Sequence, residues 1–169
     1  MKRVSIKYPK IFHEIARQLS EARTRLSLSY YKKGSEKYRG DKEAEISKLG
    51  MLAELIAMHS LAEGGKMAEF TRLINTTPQV KPDITLENGD TIDVKGLKGN
   101  ILRVNAKAHE NMKKRPKYYW FIKPSFNWKI NRTSTYIAEN YIFESSKVDN
   151  WNKTESTFTP VYQFEVDNE

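Results

Sequence analysis

Residues 81–98 have the sequence KPDITLENGDTIDVKGLK, which is the most informative part of the chain. Apolar and polar residues alternate on both sides of Asn88-Gly89, which is the dipeptide most typical of a two-residue hairpin turn. The alternation predicts two antiparallel strands, Asp83–Glu87 and Thr91–Lys95, that lie side by side.

The two faces of this hairpin carry different chemistry. Side chains alternate along a strand, so Ile92 and Val94 share one face while Asp93 and Lys95 share the other. The same parity sets Asp83 on the polar face of the preceding strand. We expect the hairpin to bring both carboxylates and the lysine within a few ångströms of one another.

Such a group of side chains suits a divalent cation. Two adjacent carboxylates repel each other, and a cation between them removes the repulsion. Oxygen ligands with an open coordination sphere favour Mg²⁺, with Mn²⁺ as a substitute. Lys95 could then position or deprotonate an attacking water and offset charge growing on a phosphate. The plain alternative is a surface hairpin with a solvated Asp–Lys ion pair.

A third carboxylate stands in an apolar setting. Glu54 is the only charged residue of the nine in GMLAELIAM, residues 50–58. A carboxylate among apolar neighbours is costly unless it is paired or bound to a metal. Glu54 is therefore a candidate third ligand that reaches the sheet from a helix. The alternative is a residue at the helix edge that points to water.

The remaining chain alternates helical and strand patterns. Periodicity predicts helices over residues 10–31, 42–63 and 105–114, and strands over 70–74, 83–87, 91–95, 118–122, 136–143 and 161–166. Residues 32–41 and 144–160 are polar and indicate loops. The order predicts an α/β or α+β protein, with helices packed on a central sheet.

Composition limits the class of protein. The chain has 169 residues, enough for one domain, and 29 Lys and Arg against 21 Asp and Glu give a net charge of +8. The absence of cysteine excludes a disulfide scaffold, a thiolate zinc site and a cysteine nucleophile. No apolar run has the length of a membrane span, and the basic N-terminus lacks the apolar stretch of a signal peptide. We expect a cytoplasmic protein with a polyanionic partner, nucleic acid first.

The order of six predicted elements resembles that of the PD-(D/E)XK nuclease superfamily. These elements are helix 42–63 with Glu54, the weak first strand, the Asp83 strand, the Asp93-Val94-Lys95 strand, helix 105–114 and strand 118–122. The resemblance covers residues 43–123, about half the chain. It implies a restriction-endonuclease-like fold, a central mixed sheet flanked by helices, over a nuclease domain of residues 41–169. Residues 1–40 would be an N-terminal helical extension.

The resemblance also assigns roles to the site residues. Asp83 and Asp93 would bind the metal together with the backbone carbonyl of Val94, and Lys95 would be the catalytic lysine. Glu54 would bind the metal directly or through water. Asp93 stands where a glutamate is common in the family, which the pattern permits.

Residues after the motif form a candidate DNA-binding surface. They are cationic or amide side chains: Lys98, Arg103, Asn105, Lys107, Lys113, Lys114 and Arg115. The alternative is a solvated helix end, where cations are favourable in any case. His109 is a candidate base or phosphate contact, although a lone histidine on a helix more often has neither role.

The leading hypothesis is a Mg²⁺-dependent endonuclease that hydrolyses phosphodiester bonds in duplex or branched DNA. A restriction-type or homing-type cutter and a Holliday-junction resolvase both fit. A homodimer would match the two strands of a duplex. The competing hypothesis is a basic nucleic-acid-binding protein without catalysis, which explains the charge equally well but not the matched carboxylates and lysine.

Overall fold

The elements of the fold are taken from a computed structural model that describes residues 4–30, 42–70, 82–125, 135–156 and 159–166. The helices are α1 (Phe12–Tyr30), α2 (Lys42–Glu63), α3 (Ala106–Glu110) and α4 (Ser145–Val148). The strands are β1 (Val4–Pro9), β2 (Ala68–Phe70), β3 (Ile84–Leu86), β4 (Thr91–Gly96), β5 (Ile101–Asn105), β6 (Tyr118–Lys123), β7 (Thr135–Glu144), β8 (Asn152–Thr154) and β9 (Val161–Glu165). The predicted loop 32–41 and the predicted strand residues 71–74 lie outside the described residues.

The strands form two sheets. The central sheet has six strands in the order β1-β7-β6-β4-β3-β2, and a smaller sheet has three in the order β5-β9-β8. Strands β4 and β6 run parallel, whereas every other recorded pair is antiparallel. A mixed sheet with helices is the α/β, or α+β, class that the sequence predicts.

The predicted hairpin forms between β3 and β4. Gly89 adopts φ of 82°, which a residue with a Cβ atom avoids, and its N–H donates to the Leu86 carbonyl oxygen at 2.9 Å. The Leu86 N–H donates to the Asp90 carbonyl oxygen at 2.8 Å, and Ile84 pairs with Ile92 across the strands. The connection is thus the three-residue loop Glu87-Asn88-Gly89, one residue longer than the two-residue turn that Asn88-Gly89 typifies. In this register the faces match as the alternation predicts, with Asp83 on the same face as Asp93.

The two faces of the central sheet pack against different elements. On one face, Ile92, Val94, Trp120 and Ile122 belong to a core shared with α2. On the other face, Tyr119 and Phe121 belong to a second core. That second core includes buried residues of the three-stranded sheet, Leu102 and Val104. Strand β4 thus lies between two apolar layers, and the polar residues on it are held at fixed positions.

Helix α2 approaches the end of β4 closely. A Cβ atom at Gly96 would lie 2.7 Å from the Leu49 carbonyl oxygen and 2.7 Å from its Cγ. No ordinary side chain fits there unless the backbone moves, so glycine allows the helix and the strand to meet.

Several predicted elements differ from the structure. The sequence pattern missed β1, whose buried residues are Ile6 and Tyr8 and which pairs with β7 at the edge of the central sheet. The predicted helix 105–114 is only the five-residue α3, because β5 occupies 101–105 and the Asn105 side chain accepts from the Ala108 N–H at the helix N-cap. The predicted loop 144–160 contains α4 and β8, and β8 forms because it pairs with β9.

None of the described helices combines the length and the apolar content that crossing a membrane requires.

Candidate active site

Asp83 lies immediately before β3 and is almost fully buried, with 5% of its surface exposed. Its Oδ2 accepts a hydrogen bond from the backbone N–H of Val94 on β4 at 2.8 Å. This bond ties the carboxyl group to the centre of the neighbouring strand. The Asp83 carboxyl is also hydrogen-bonded to the Asp93 carboxyl, so the two acids predicted to converge do meet.

The protonation of Asp83 reflects this setting. Burial raises the pKa of Asp83 to about 8, and repulsion from Asp93 and the hydrogen bond between the two acids add to the rise. Lys95 opposes the shift, while the charge of Glu54 adds to it. Without a cation, the two acids thus share a proton rather than carry two charges.

Asp93 and Lys95 occupy the same face of β4, as the alternation predicts. The Lys95 Nζ lies 2.5 Å from the Asp93 Oδ2, and the two side chains are 38% and 24% exposed. The site is therefore open to solvent at the lysine and closed at Asp83. A bound phosphate could reach the ammonium group without any rearrangement of the buried acid.

Glu54 approaches the aspartates from the helix side. It is 8% exposed on α2, among the buried residues Met51, Leu52, Ala53 and Ile56. Its charge acts on Asp83, so the predicted neighbourhood of the three acids exists. Across the ranges that the structure describes, however, no three Asp, Glu, His or Cys side chains are arranged to hold one metal ion.

The donor set that remains still fits a divalent cation. Mg²⁺ is commonly bound by one or two carboxylates and completes its sphere with waters and substrate oxygens. The Asp83–Asp93 pair supplies two such carboxylates, and a cation would take the place of the shared proton. Val94 is fixed at the same point through its N–H, and its carbonyl is the predicted backbone ligand.

The predicted DNA-binding residues divide into two groups. Lys98 forms an ion pair with Glu45, Arg115 forms one with Asp149, and Asn105 is occupied as the cap of α3. The others are exposed cations without an ion pair among the described residues: Arg103, Lys107, Lys113 and Lys114. Positive charge that no internal carboxylate neutralises is thus concentrated at residues 103–114.

A polar network lies beside the site around His109, which the sequence analysis named without its partners. Tyr119 pairs with Asp93 in the register of β4 and β6, so their side chains are neighbours on one face. The buried His109 lies between the Tyr119 hydroxyl, at 3.0 Å from Nδ1, and Asp149 Oδ1, at 2.9 Å from Nε2. Burial lowers the pKa of His109, and burial followed by the charge of Asp93 raises the pKa of Tyr119. Nothing in the sequence signals this network, because its members come from four separate elements.

Comparison of the chain with protein-family models, with curated proteins and with solved structures gave no match. The chemistry of the site is therefore interpreted from its own geometry.

Proposed function

We propose that the protein is a metal-dependent endonuclease that hydrolyses phosphodiester bonds in DNA. The observation that carries this function is the convergence of two carboxyl groups and one ammonium group at the β3–β4 hairpin. A carboxyl pair that is buried and mutually repulsive destabilises the fold, so its presence needs a reason beyond stability.

The order of elements supports a restriction-endonuclease-like fold as part of this proposal. Helix α2 with Glu54 precedes the antiparallel strands β2, β3 and β4. The chain then forms β5 of the smaller sheet and the short α3 before it reaches β6, which lies parallel to β4. Apart from β5, the central elements follow the family order. This order of helix, three strands, helix and strand is the one that the resemblance to the PD-(D/E)XK superfamily implies.

In the proposed reaction, Asp83 and Asp93 would give up the shared proton and hold the metal ion. Glu54 lies behind them on α2 and would bind the ion directly or through a water. When bound, Mg²⁺ would polarise the scissile phosphate and lower the pKa of a coordinated water. Because Asp83 is anchored to the Val94 N–H, its ligand oxygens are held at a fixed position relative to β4.

Lys95 provides the positive charge of the site. Its ammonium group is partly exposed and is held beside Asp93 by the ion pair. From this position it orients the attacking water and offsets the negative charge that grows on the phosphate oxygens. The leaving group is the 3′ oxygen of the cleaved strand.

The surplus of positive charge favours a polyanionic substrate. The chain carries +8, and exposed cations that form no ion pair with any described residue lie at residues 103–114, after the strand that bears Lys95. Phosphate neutralisation by such cations supplies most of the affinity of DNA-binding proteins at moderate salt.

The test is cleavage of supercoiled plasmid, linear duplex and a synthetic four-way junction in Mg²⁺, Mn²⁺ and EDTA. Wild-type protein is compared with Lys95→Ala and with Lys7→Ala, which removes an exposed lysine from β1, the edge strand of the same sheet. We expect metal-dependent cleavage that Lys95→Ala abolishes and Lys7→Ala retains. The preferred DNA separates a junction resolvase from a duplex cutter.

Salt-sensitive binding without cleavage of any substrate would instead support the non-catalytic nucleic-acid-binding function. Cleavage that survives Lys95→Ala would contradict the assignment of the site, whatever the substrate.

A further inference from the structure

The three-stranded sheet exposes one face with an ordered row of polar side chains. Arg103 on β5 pairs with Gln163 on β9, and Gln163 pairs with Asn152 on β8. Residues paired across neighbouring strands point to the same side of a sheet. The three side chains therefore stand next to one another on the face opposite the buried Leu102 and Val104.

These three side chains are available to a ligand. Arg103 and Asn152 are exposed, and Gln163 is partly exposed. In the part of the chain that the structure describes, none of the three side chains makes a hydrogen bond or an ion pair. The donors and acceptors of one guanidinium and two amides therefore face solvent and form no bond within the described part of the protein.

We propose that this row reads base edges in the major groove of duplex DNA. The inference rests on the proposed function, and it names the surface that selects the DNA to be cut. Arginine pairs in a bidentate manner with guanine, and asparagine or glutamine with adenine. Strands in a sheet lie ~4.8 Å apart, so a row of three spans roughly 10 Å. That span fits the major groove of B-DNA, which is about 12 Å wide.

The next row on the same face fits the same surface. Ile101 pairs with Glu165, and both side chains are exposed. An aliphatic side chain can contact the thymine methyl group, and a carboxylate can accept a hydrogen bond from cytosine. A-form RNA would not admit the sheet, because its major groove is too deep and narrow for side chains to read.

The reading face sits on a rigid base. Its inner side packs into the second core through Leu102 and Val104. At the margin of that core the partly exposed Phe164 stacks on Trp151 with ring centroids 5.5 Å apart and an interplanar angle of 26°. The sheet is also tied to the central sheet at Asn100, whose Oδ1 accepts from Lys123 Nζ at 2.8 Å and whose carbonyl accepts from the Val166 N–H at 2.9 Å. Side chains on a rigid element lose little freedom when they bind.

Charge and position favour DNA as the occupant. Arg103 and the nearby exposed Lys107, Lys113 and Lys114 carry positive charge without an internal partner among the described residues. The lysines would contact phosphates while Arg103 contacts a base. Only residues 97–100 separate β4, which bears Lys95, from β5, which bears Arg103. The reading face and the proposed site of cleavage are therefore connected by a short segment of the chain.

The experiment selects bound DNA from a pool of short duplexes with a randomised centre. The full chain is used in a Lys95→Ala background, so that binding is measured in Mg²⁺ and in EDTA without cleavage. The variants are Arg103→Lys, which keeps the charge but loses the planar fork, and Gln163→Ala. Gln18→Ala removes an exposed amide from α1 and is the matched control. Circular dichroism and sedimentation report folding and mass for each protein.

We expect a defined sequence to be enriched by the parent protein and by Gln18→Ala. Arg103→Lys should reduce the preference at one G·C pair by about tenfold, and Gln163→Ala should relax an adjacent position, because each bidentate pair discriminates by 1–3 kcal/mol or roughly 5- to 150-fold. Absence of enrichment would overturn the proposal. So would an unchanged preference in Arg103→Lys, or a change of mass in any variant, which would mark the face as a contact between protein chains.

The outcome is separable from that of the proposed nuclease. An enriched sequence that wild-type protein does not cleave would refute the nuclease and leave the reading face. Cleavage of every duplex at equal rates would refute the reading face and leave the nuclease.

Discussion

Two polar clusters lie side by side on one face of the central sheet, and they are built in opposite ways. In the first, Asp83 and Asp93 are brought together although their charges repel, and Lys95 compensates only one of them directly. In the second, His109 has a partner at each ring nitrogen, Tyr119 and Asp149. Asp93 and Tyr119 are direct neighbours in the strand register, so the contrast occurs within one row of the sheet.

The difference indicates what each cluster contributes. A cluster in which every buried group has a complementary partner stabilises the fold. A cluster that raises the pKa of a buried carboxyl to about 8 opposes folding. Such a shift is typical of a site that binds a cation or a substrate. Substitutions in the first should therefore change activity, and substitutions in the second should change stability.

The largest effect is expected for Lys95→Ala. Loss of the ammonium group should lower the cleavage rate by about 10³-fold, within the range for a group that assists proton transfer. The unfolding free energy should change by less than about 1 kcal/mol, because the ion pair with Asp93 is partly exposed. Single-turnover cleavage and urea denaturation of the same preparation measure both quantities. If the unfolding free energy fell by as much as the activation free energy of cleavage rose, the two clusters would not differ in what they contribute.

His109→Ala should have the reverse effect. The substitution removes a fully buried ring and one of the hydrogen-bond partners of the Tyr119 hydroxyl, which keeps Ser145, so the unfolding free energy should fall by about 2–4 kcal/mol. Urea denaturation provides the measurement, and His109→Gln should recover part of the loss because an amide can still bond to Tyr119. Full stability in the alanine variant would show that the network contributes nothing to folding.

Asp83→Asn should stabilise the protein while it abolishes the proposed cleavage. At pH 7 the folded protein must take up a proton at Asp83, because its pKa is about 8, whereas an asparagine is already neutral and can still accept from the Val94 N–H; the unfolding free energy at pH 7 in EDTA should therefore rise by about 1–2 kcal/mol. The raised pKa also means that ionising Asp83 costs stability as pH rises from its ordinary value of 3.8 toward about 8. The slope of the unfolding free energy against pH over this range should be smaller in the variant. Thermal melts across the pH range, with Glu87→Gln in the exposed hairpin turn as the control, test this expectation.

The smallest effect concerns acid sensitivity. Burial lowers the pKa of His109, so the folded state disfavours the charged ring. Its contribution is complete above the ordinary histidine pKa of 6.5 and is lost as pH falls through the lower folded value. His109→Gln should reduce this acid-side loss, which runs opposite to the trend caused by Asp83. Equal acid sensitivity in both proteins would assign the effect to other groups.

The sequence predicted what depends on neighbours along the chain. The β3–β4 hairpin follows from Asn88-Gly89, and the position of Lys95 beside Asp93 follows from alternation along one strand. Helix α2 follows from its long apolar periodicity, and the prediction of Lys42–Glu63 was confirmed residue for residue.

Elements that depend on distant partners could not be predicted in this way. Strand β8 reads Asn-Lys-Thr, which has little strand character, and it exists because β9 pairs with it. The partners of His109 come from 10 and 40 residues away, so no local pattern marks them. The reading face depends on the register of three strands, and that register is set by tertiary structure.

The pairing of β1 with β7 has a consequence for how the chain folds during synthesis. Strand β1 is synthesised before the other described elements, yet its partner Asn140, whose side chain bonds to the Val4 carbonyl, lies 136 residues later. At a translation rate of about 5–20 residues per second, β1 waits several seconds or more without its partner. Contacts of such sequence separation form slowly, because a long loop must close first. The burial of Ile6 and Tyr8 should therefore be one of the last steps of folding, after α2 and the hairpin are in place.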